Sequence, residues 1–567
     1  MERSFIDVSH DQYKGTINCW TRNEDGVLEY ETHVASDYYY LFVPNNGGKT
    51  DFVNMRNQPM KKLTFDELPE MQKYAKNFSG VHESDVHIEY KFILDNFMNS
   101  STECPVNIGF YDIEVDFDLD EGKGYPSIRD PFGAINAISL FDDNRKTFVM
   151  LMLTGTDIEL TDSEFPIESH TFLCEKQLLQ YFCKKVIKDI DLLTGWNVIE
   201  FDLNYIMERL ILLFGSKRAV SMLCRNDHNA RKIEYVNENG EEIWRWELVG
   251  RKHLDMMQVY KKFKPKSLES FSLSSVCMFE LNEDKQEYDG DLGELYRENP
   301  QKFFEYSLHD SRLLFKLNKK LNLMAIVVLF TRESCVFMDD VTGTVKPIEH
   351  AFLRFCRQEG NIVLPDKKHH DKEEFRGAVV YDTLCGLHKW LFSIDLTGLY
   401  PSIMIMLGLS SENLMMQLCE NDLDYYRVLE RQNVDVKFVW EETGEVLVMK
   451  AYEIDDLIRE NGYVMSAAGT VFNGEMGLLA RFVKNGFDQR SKFKLMMKDA
   501  KTKESFERYN LLQNSKKLAN NSLYGCISNS YFRLFDIRMA RSITYSGAIV
   551  SKFMTYKTNE TLKEVIR

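Results

Sequence analysis

No stretch of these 567 residues is apolar enough to cross a bilayer. The longest apolar run, near Leu323 to Phe330, falls far short of the roughly 20 residues that a spanning helix needs. The opening residues, MERSFIDVSHDQYKG, contain no apolar core of signal-peptide length. The eleven cysteines form no C-x-x-C pair and no spacing with histidine that suits zinc. Their expected state is a set of free thiols, mostly buried as small apolar residues, in a reducing compartment, so a cytoplasmic location is expected. Internal repeats and low-complexity tracts are also missing, and domain joints must be read from the positions of motifs.

Positive charge is in deficit overall, with a net charge of -17. That balance argues against a nucleic-acid partner, but its distribution argues the other way. From Arg481 to Arg541 there are 14 Lys/Arg against 5 Asp/Glu, a local +9 that leaves the remainder at -26. A basic segment in an acidic chain points to a local anion site. What is plentiful is apolar (44%) and aromatic (13%) residues, enough for several cores, and the length predicts roughly three to five domains.

Residues 1 to about 105 give short extended runs, TINCWTR, LEYETHV and DYYYLFVP, broken by turn signals such as Asn45-Asn46-Gly47-Gly48. This reads as a small mixed β/α domain without identifiable chemistry. Val106 to Phe117, VNIGFYDIEVDF, reads as a strand whose alternation puts Asp112 and Glu114 on one face. Buried like charges repel, so a shared cation explains the pair, and emergence of the strand into water explains it equally well. Leu193 to Ile206, LTGWNVIEFDLNYI, reads as strand, turn and helix start, with Asp202 near the joint. Phe303 to Leu314, FFEYSLHDSRLL, reads as a helix with Tyr306 and Asp310 on one face. Between them, Asn239-Gly240 joins two alternating runs from Lys232 to Gly250, a hairpin signal.

Further on, Leu391 to Ile403, LFSIDLTGLYPSI, reads as an apolar β-run ending in Asp395, then a tight turn. An acid at the end of a buried strand needs an offsetting charge or a helix to cap. From Met476 the pattern is helical to about Leu512, with one turn around Ala500-Lys501. Arg490 and Lys494 fall on one face of the first helix, and Lys517, Asn521 and Tyr524 form one stripe of KKLANNSLYG. Two antiparallel helices with basic stripes suit a triphosphate.

In order and spacing these motifs resemble family B DNA polymerases, nearest those of T-even-type bacteriophages. D-x-E, N-x-x-x-F-D and Y-x-x-x-D resemble the family's RNase H-like DEDDy 3′–5′ exonuclease. DLTGLYPS resembles its first palm motif, with Gly398 where serine is usual, and K-x-x-x-N-x-x-Y-G its fingers motif. The resemblance implies an α/β multidomain chain: an N-terminal mixed domain (1–105 and 322–370), an exonuclease domain (106–321), a partial palm (371–475 and 530–567) and helical fingers (476–529). It implies Asp112, Glu114, Asp202 and Asp310 as exonuclease metal ligands, with Tyr306 orienting the attacking water. Asp395 would bind the polymerase metals, and two Mg²⁺ per site are implied, with Mn²⁺ as the substitute. Leu396, Thr397, Gly398, Leu399, Tyr400, Arg490, Lys494, Lys517, Asn521 and Tyr524 would hold the dNTP, Tyr400 excluding a 2′-hydroxyl. Arg376-Gly377-Ala378-Val379 takes the place of the family's linker motif, and the 232–250 hairpin resembles one that helps part primer from template. The family's third motif, with a DTD core, and its thumb find no match. A split gene or a truncated product would each account for that; the favoured expectation is the N-terminal subunit of a split replicative polymerase, with primer-template DNA, dNTPs and a C-terminal polypeptide carrying the remaining palm carboxylates as partners. A sliding clamp would reach it through that polypeptide. The alternatives are a stand-alone 3′–5′ exonuclease with a vestigial polymerase half and a non-catalytic binding protein.

Overall fold

The computed structural model describes residues 3–45, 47–100, 104–117, 125–162, 164–236, 240, 242–264, 268–285, 291–371, 377–378, 382, 385–389, 394–396, 398–419 and 422–566. The chain divides into two compact units, Met1–Tyr38 with His87–Thr342, and Tyr39–Val86 with Gly343–Arg567. The divisions at 38/39 and 86/87 fall inside the stretch expected to form one N-terminal domain.

The first unit is organised on a six-stranded mixed sheet, in the order Ile167–Phe172, Thr147–Leu153, Ile135–Asp142, Ile108–Val115, Leu192–Gly195 and Lys252–Asp255. Ile108–Val115 is a central strand, antiparallel to Ile135–Asp142 and parallel to Leu192–Gly195. Its apolar residues Tyr111 and Ile113 join a core with Leu179, Phe182, Ile206 and Leu210. The expected hairpin is present: Arg231–Val236 pairs antiparallel with Glu242–Glu247. Gly240 has a positive φ of 81°, and Asn239 lies outside the described residues.

A three-stranded antiparallel sheet, Arg3–Asp11, Thr16–Asn23 and Leu28–Val34, belongs to this unit because of ionic ties as well as apolar ones. Asp191 is fully buried and accepts from Arg22 Nε at 2.5 Å, Arg225 Nη1 at 2.9 Å and the Asn107 backbone N–H at 2.8 Å. Nearby, Asp7 accepts from Lys252 Nζ at 2.8 Å and from the Gly250 N–H at 2.7 Å.

The second unit closes the segment 39–86 onto the later chain. Ile362–Val363 adds in parallel to Phe52–Asn54, at the edge of a sheet with Pro59–Thr64 and Tyr40–Pro44. Two buried arginines reinforce that joint. Arg357 pairs with Glu83, which also accepts from the Leu364 N–H at 2.9 Å, and Arg533 reaches Asp85 at 2.7 Å and Glu349 at 3.3 Å. Residues 414–472 form a five-stranded antiparallel sheet covered by the helix Ala451–Glu460, around Val436, Phe438 and Ile454. The expected helix pair follows as Leu478–Lys498 and Lys503–Ile527, the second capped by Thr502, whose hydroxyl accepts from the Ser505 N–H at 3.1 Å. The chain then runs through the helix Ile537–Ile566.

One expected element is corrected. Ile394–Leu396, the described part of the run before Gly398, lies in no strand, and Ile394 and Asp395 are exposed. A strand is held by a neighbour's backbone, and among the described residues none pairs with this segment. Leu391–Ser393 and Thr397 lie outside the described residues, as do Arg376 and Val379. Seven of the eleven cysteines are buried and all are free thiols, which agrees with their expected packing role. Among the described residues no helix is long and apolar enough to cross a membrane.

Replacing Asp191 by alanine leaves two buried guanidinium groups facing each other without their anion. The expected loss is about 3–5 kcal/mol of stability, read as a lower melting temperature of the full chain, and a change of under about 1 kcal/mol would contradict this account.

Candidate active sites

In the first unit the site starts from strand alternation. Asp112 and Glu114 are two residues apart on Ile108–Val115 and project to the same side. Asp112 stands opposite Ser139 of the neighbouring strand. The helix Pro300–Leu321 lies across this face, and its close approach is made by small residues: Ser139 Oγ donates to Ser307 O at 2.9 Å and lies 2.6 Å from Ser311 Oγ. Tyr306 and Asp310 flank those serines on the helix and are thereby carried to the strand acids. One carboxylate oxygen from each of Asp112, Glu114 and Asp310 lies within 4.8 Å of the others. Asp112 and Glu114 are half-buried and Asp310 is buried.

Asp202 joins from a third direction. The parallel strand Leu192–Gly195 pairs with Ile108–Phe110, and beyond that pairing the Ile113 N–H donates to Asp202 Oδ1 at 3.3 Å. Asp202 is the first residue of the helix Asp202–Phe214 and is buried. The charges are felt throughout the cluster. Burial pushes the Asp112 carboxyl well above the ordinary carboxylate range, with repulsion from Asp202, Glu114 and Asp310 adding to it. Burial, then Asp310, pushes Glu114 up to about 8. Burial pushes Asp202 up to about 7, against the backbone hydrogen bonds that hold it down.

Lys285 was not anticipated from the sequence. Its Nζ donates to Asp310 Oδ2 at 2.6 Å and to Tyr306 OH at 3.3 Å. Its own pKa is raised, burial being outweighed by Asp310 and Asp112. It is a single lysine in a non-periodic acidic stretch, NEDKQE, and no spacing marks it. Even so, among the described residues one ammonium faces four carboxylates, and Asp310 Oδ1 is buried without a hydrogen-bond partner. An oxygen-only donor set with excess negative charge fits hard divalent cations such as Mg²⁺.

The second unit brings other expected residues together. Gly398 has a positive φ of 66° and precedes the helix Leu399–Met406, whose Ser402 N–H donates to Gly398 O at 2.9 Å. The ring centroids of Tyr400 and Tyr524 are 4.6 Å apart. A Cβ at Gly547, on Ile537–Ile566, would lie 2.9 Å from Tyr400 Cε1, so this ring rests on a bare patch of that helix. Gly398, Leu399, Tyr400, Asn521, Tyr524 and Gly547 line a cavity of about 390 Å³. Lys517 and Asn521 are exposed on Lys503–Ile527, while Arg490 and Lys494 lie on Leu478–Lys498, where Arg490 Nε donates to Gln513 Oε1 at 3.4 Å. Asp395 is exposed, and no metal-ligating group of three is found around it among the described residues.

Comparison with known proteins decides the family. The model of DNA polymerase family B matches residues 339–564, and that of the family B exonuclease domain matches residues 71–276. The chain belongs to DNA polymerase family B. It is 24% identical to the DNA-directed DNA polymerase of Escherichia phage RB69, over 91% of this chain and 62% of that protein. It is 24% identical to the DNA-directed DNA polymerase of Enterobacteria phage T4, over 66% of this chain and 44% of that one. It is 26% identical to the DNA polymerase delta catalytic subunit of Plasmodium falciparum, over 79% and 39%. The chain thus spans less than two thirds of the length of each. In this family B chain, the helix with Tyr306 and Asp310 falls between the two matched segments, and its place in the site rests on the geometry above.

A cation can enter the carboxylate cluster only as protons leave it. Because the folded carboxyls are raised, the metal-free protein should lose stability as pH rises from about 4 towards 8, and cation affinity should rise over the same window. The melting-temperature gain from added Mg²⁺ should therefore be larger at pH 8.5 than at pH 6. Equal gains would remove the cluster as the binding site.

Proposed function

We propose that this chain is the N-terminal subunit of a family B replicative DNA polymerase, with its 3′–5′ proofreading exonuclease and fingers complete and its polymerase site completed by a C-terminal polypeptide. The observation that carries the reading is the convergence of Asp112, Glu114 and Asp310, with Asp202 and Tyr306 beside them. Within the two units we read the exonuclease as 106–321, the fingers as 476–529 and the partial palm as 371–475 with 530–567.

In the exonuclease, the four carboxylates would hold two divalent cations. Such a pair supplies an activated water and stabilises the leaving oxygen of an in-line displacement at phosphorus. Water attacks the terminal phosphodiester, the P–O3′ bond breaks, and a nucleoside monophosphate leaves. Tyr306 orients the water, and Lys285, already paired with Asp310, offsets negative charge where the phosphate enters. In the polymerase half, Asp395 is one carboxylate of the site. Lys517, Arg490 and Lys494 bind the triphosphate, the backbone of 396–399 cradles it, Asn521 supports Lys517, and Tyr400 and Tyr524 form the floor beneath sugar and base. The primer 3′-hydroxyl attacks the α-phosphate and pyrophosphate departs. Primer-template DNA and dNTPs are the substrates, and a clamp would act through the partner.

Exposed apolar side chains support the need for a covering polypeptide. Ile549, Phe553 and Tyr556 recur at helical spacing on Ile537–Ile566, and Met406 is exposed on the helix after the nucleotide turn. A stand-alone exonuclease is the second reading, favoured by the contrast between an assembled carboxylate cluster and the exposed Asp395.

The two readings separate in one assay with Mg²⁺, primed template and four dNTPs. The chain alone should shorten the primer without extending it, and extension should appear when the C-terminal polypeptide is added. Asp112→Ala should cut shortening by roughly a hundred- to a thousandfold and spare extension, and Asp395→Ala should do the reverse. Absence of nuclease activity in folded protein would sink both readings, and failure of any C-terminal polypeptide to restore extension would leave the second.

A further inference from the structure

We propose that Phe487 positions the fingers helix on the nucleotide turn, and that glycine at 398 is its steric complement. The inference rests on the reading above, in which the turn before Leu399 holds the triphosphate and Leu478–Lys498 supplies cations to it.

The observation is a close approach. A Cβ built at Gly398 would lie 2.7 Å from Phe487 Cζ, 3.2 Å from Cε1 and 3.8 Å from Cε2. The tip of the ring therefore points at the glycine Cα, in space that every other residue type would fill. Gly398 is also in the left-handed region at φ 66°, so two constraints meet at one position. The turn cannot easily yield. The Leu399 N–H donates to Leu396 O at 3.2 Å and the Ser402 N–H to Gly398 O at 2.9 Å, which locks the residue to the start of its helix.

The helix is anchored at its base as well. The Phe482 ring packs edge-on against Phe352 at 5.5 Å and Phe355 at 5.4 Å, and Arg481 pairs with Glu359 at 2.9 Å. Phe487 is the second anchor, little more than one turn further along. Arg490 and Lys494 follow it by three and seven residues, so they share its face of the helix. The helix also lies along Lys503–Ile527, with Gly486 against Asn520 and Arg490 reaching Gln513, so without Phe487 the two helices could swing together about that base, and the cations beyond would move furthest. Seating the Phe487 ring on bare backbone fixes where the guanidinium and ammonium groups stand relative to the turn. Phe487 touches neither phosphate nor metal in this account; it acts through the helix that carries the charges.

The test uses the full chain and dATP with Mg²⁺, with two readouts: the dATP dissociation constant by fluorescence titration, and amide hydrogen exchange across 478–498. Phe487→Ala should weaken dATP binding roughly ten- to a hundredfold and speed exchange beyond residue 487, with exonuclease rate unchanged as the control for folding. Gly398→Ala should weaken binding similarly, and the double variant should be no worse than Gly398→Ala alone, because both disrupt one contact. Additive losses, or wild-type exchange and affinity in Phe487→Ala, would overturn the proposal. If Lys517→Ala loses dATP while Phe487→Ala keeps it, the inference fails and the nucleotide-site reading stands. If the wild-type chain binds dATP only once the C-terminal polypeptide is added, the titrations are read in that assembly; if it binds in neither state, the nucleotide-site reading fails and the exchange result alone decides whether Phe487 holds the helix.

Discussion

Mutual repulsion among buried carboxylates is the constraint on which the first unit depends. Four acids, Asp112, Glu114, Asp202 and Asp310, are brought from a strand and two helices into one partly water-excluded space, with Lys285 as the one ammonium beside them among the described residues. Lys285 and the Ile113 N–H offset only part of that repulsion, and the surrounding scaffold imposes the rest. The serine contacts between Ser139, Ser307 and Ser311 let the long helix lie close enough, and a central strand fixes the other side. Burial and mutual repulsion raise these carboxyls, and a divalent cation is the group that would reverse that balance.

The same logic of buried charge appears elsewhere with the opposite balance. Around Asp191 it is the anion that is outnumbered, by Arg22 and Arg225; the backbone carbonyls of Gly26, Ile190 and Gly250 accept from their terminal N–H groups, and Arg225 Nε is buried without a partner. In the second unit, Arg357 and Arg533 meet Glu83, Asp85 and Glu349 at the joint between segments distant in sequence. These pairs add less to stability than their number suggests, because desolvation offsets attraction. Their use is to specify which distant segments meet. A mismatched partner would leave an unpaired buried charge, which is strongly disfavoured.

Much of this was legible in the chain and some was not, for physical reasons. Asp112 and Glu114 could be placed on one face because a strand repeats every two residues, and Tyr306 with Asp310 because a helix brings i and i+4 together. Both helices of the basic pair, and the turn between them, followed from periodicity. Lys285 had no period to betray it and depends on tertiary placement alone. The run before Asp395 looked like a buried strand since its residues are apolar, yet in its described part, Ile394–Leu396, no neighbour pairs with it and Ile394 is exposed. Likewise Gly398 could be recognised as a departure from the family's serine, but Phe487, which makes that departure intelligible, lies 89 positions away with nothing in sequence to join them.

The contrast between the two candidate sites follows from where desolvation is supplied. Coulomb attraction between a carboxylate and a cation grows several-fold as the effective dielectric falls from that of water towards that of a protein interior. The carboxylate cluster of the first unit already has that environment, built from the unit's own strand and helices. Asp395 is exposed and belongs to no cluster of three or more metal-ligating groups among the described residues. A polypeptide laid over Ile394, Met406 and the Ile549–Phe553–Tyr556 stripe would change both at once. It would exclude water from the carboxylate and could bring a second acid opposite it. Under the proposed function, metal affinity at the polymerase half would then be a consequence of assembly, whereas at the exonuclease it would be a property of the folded unit alone.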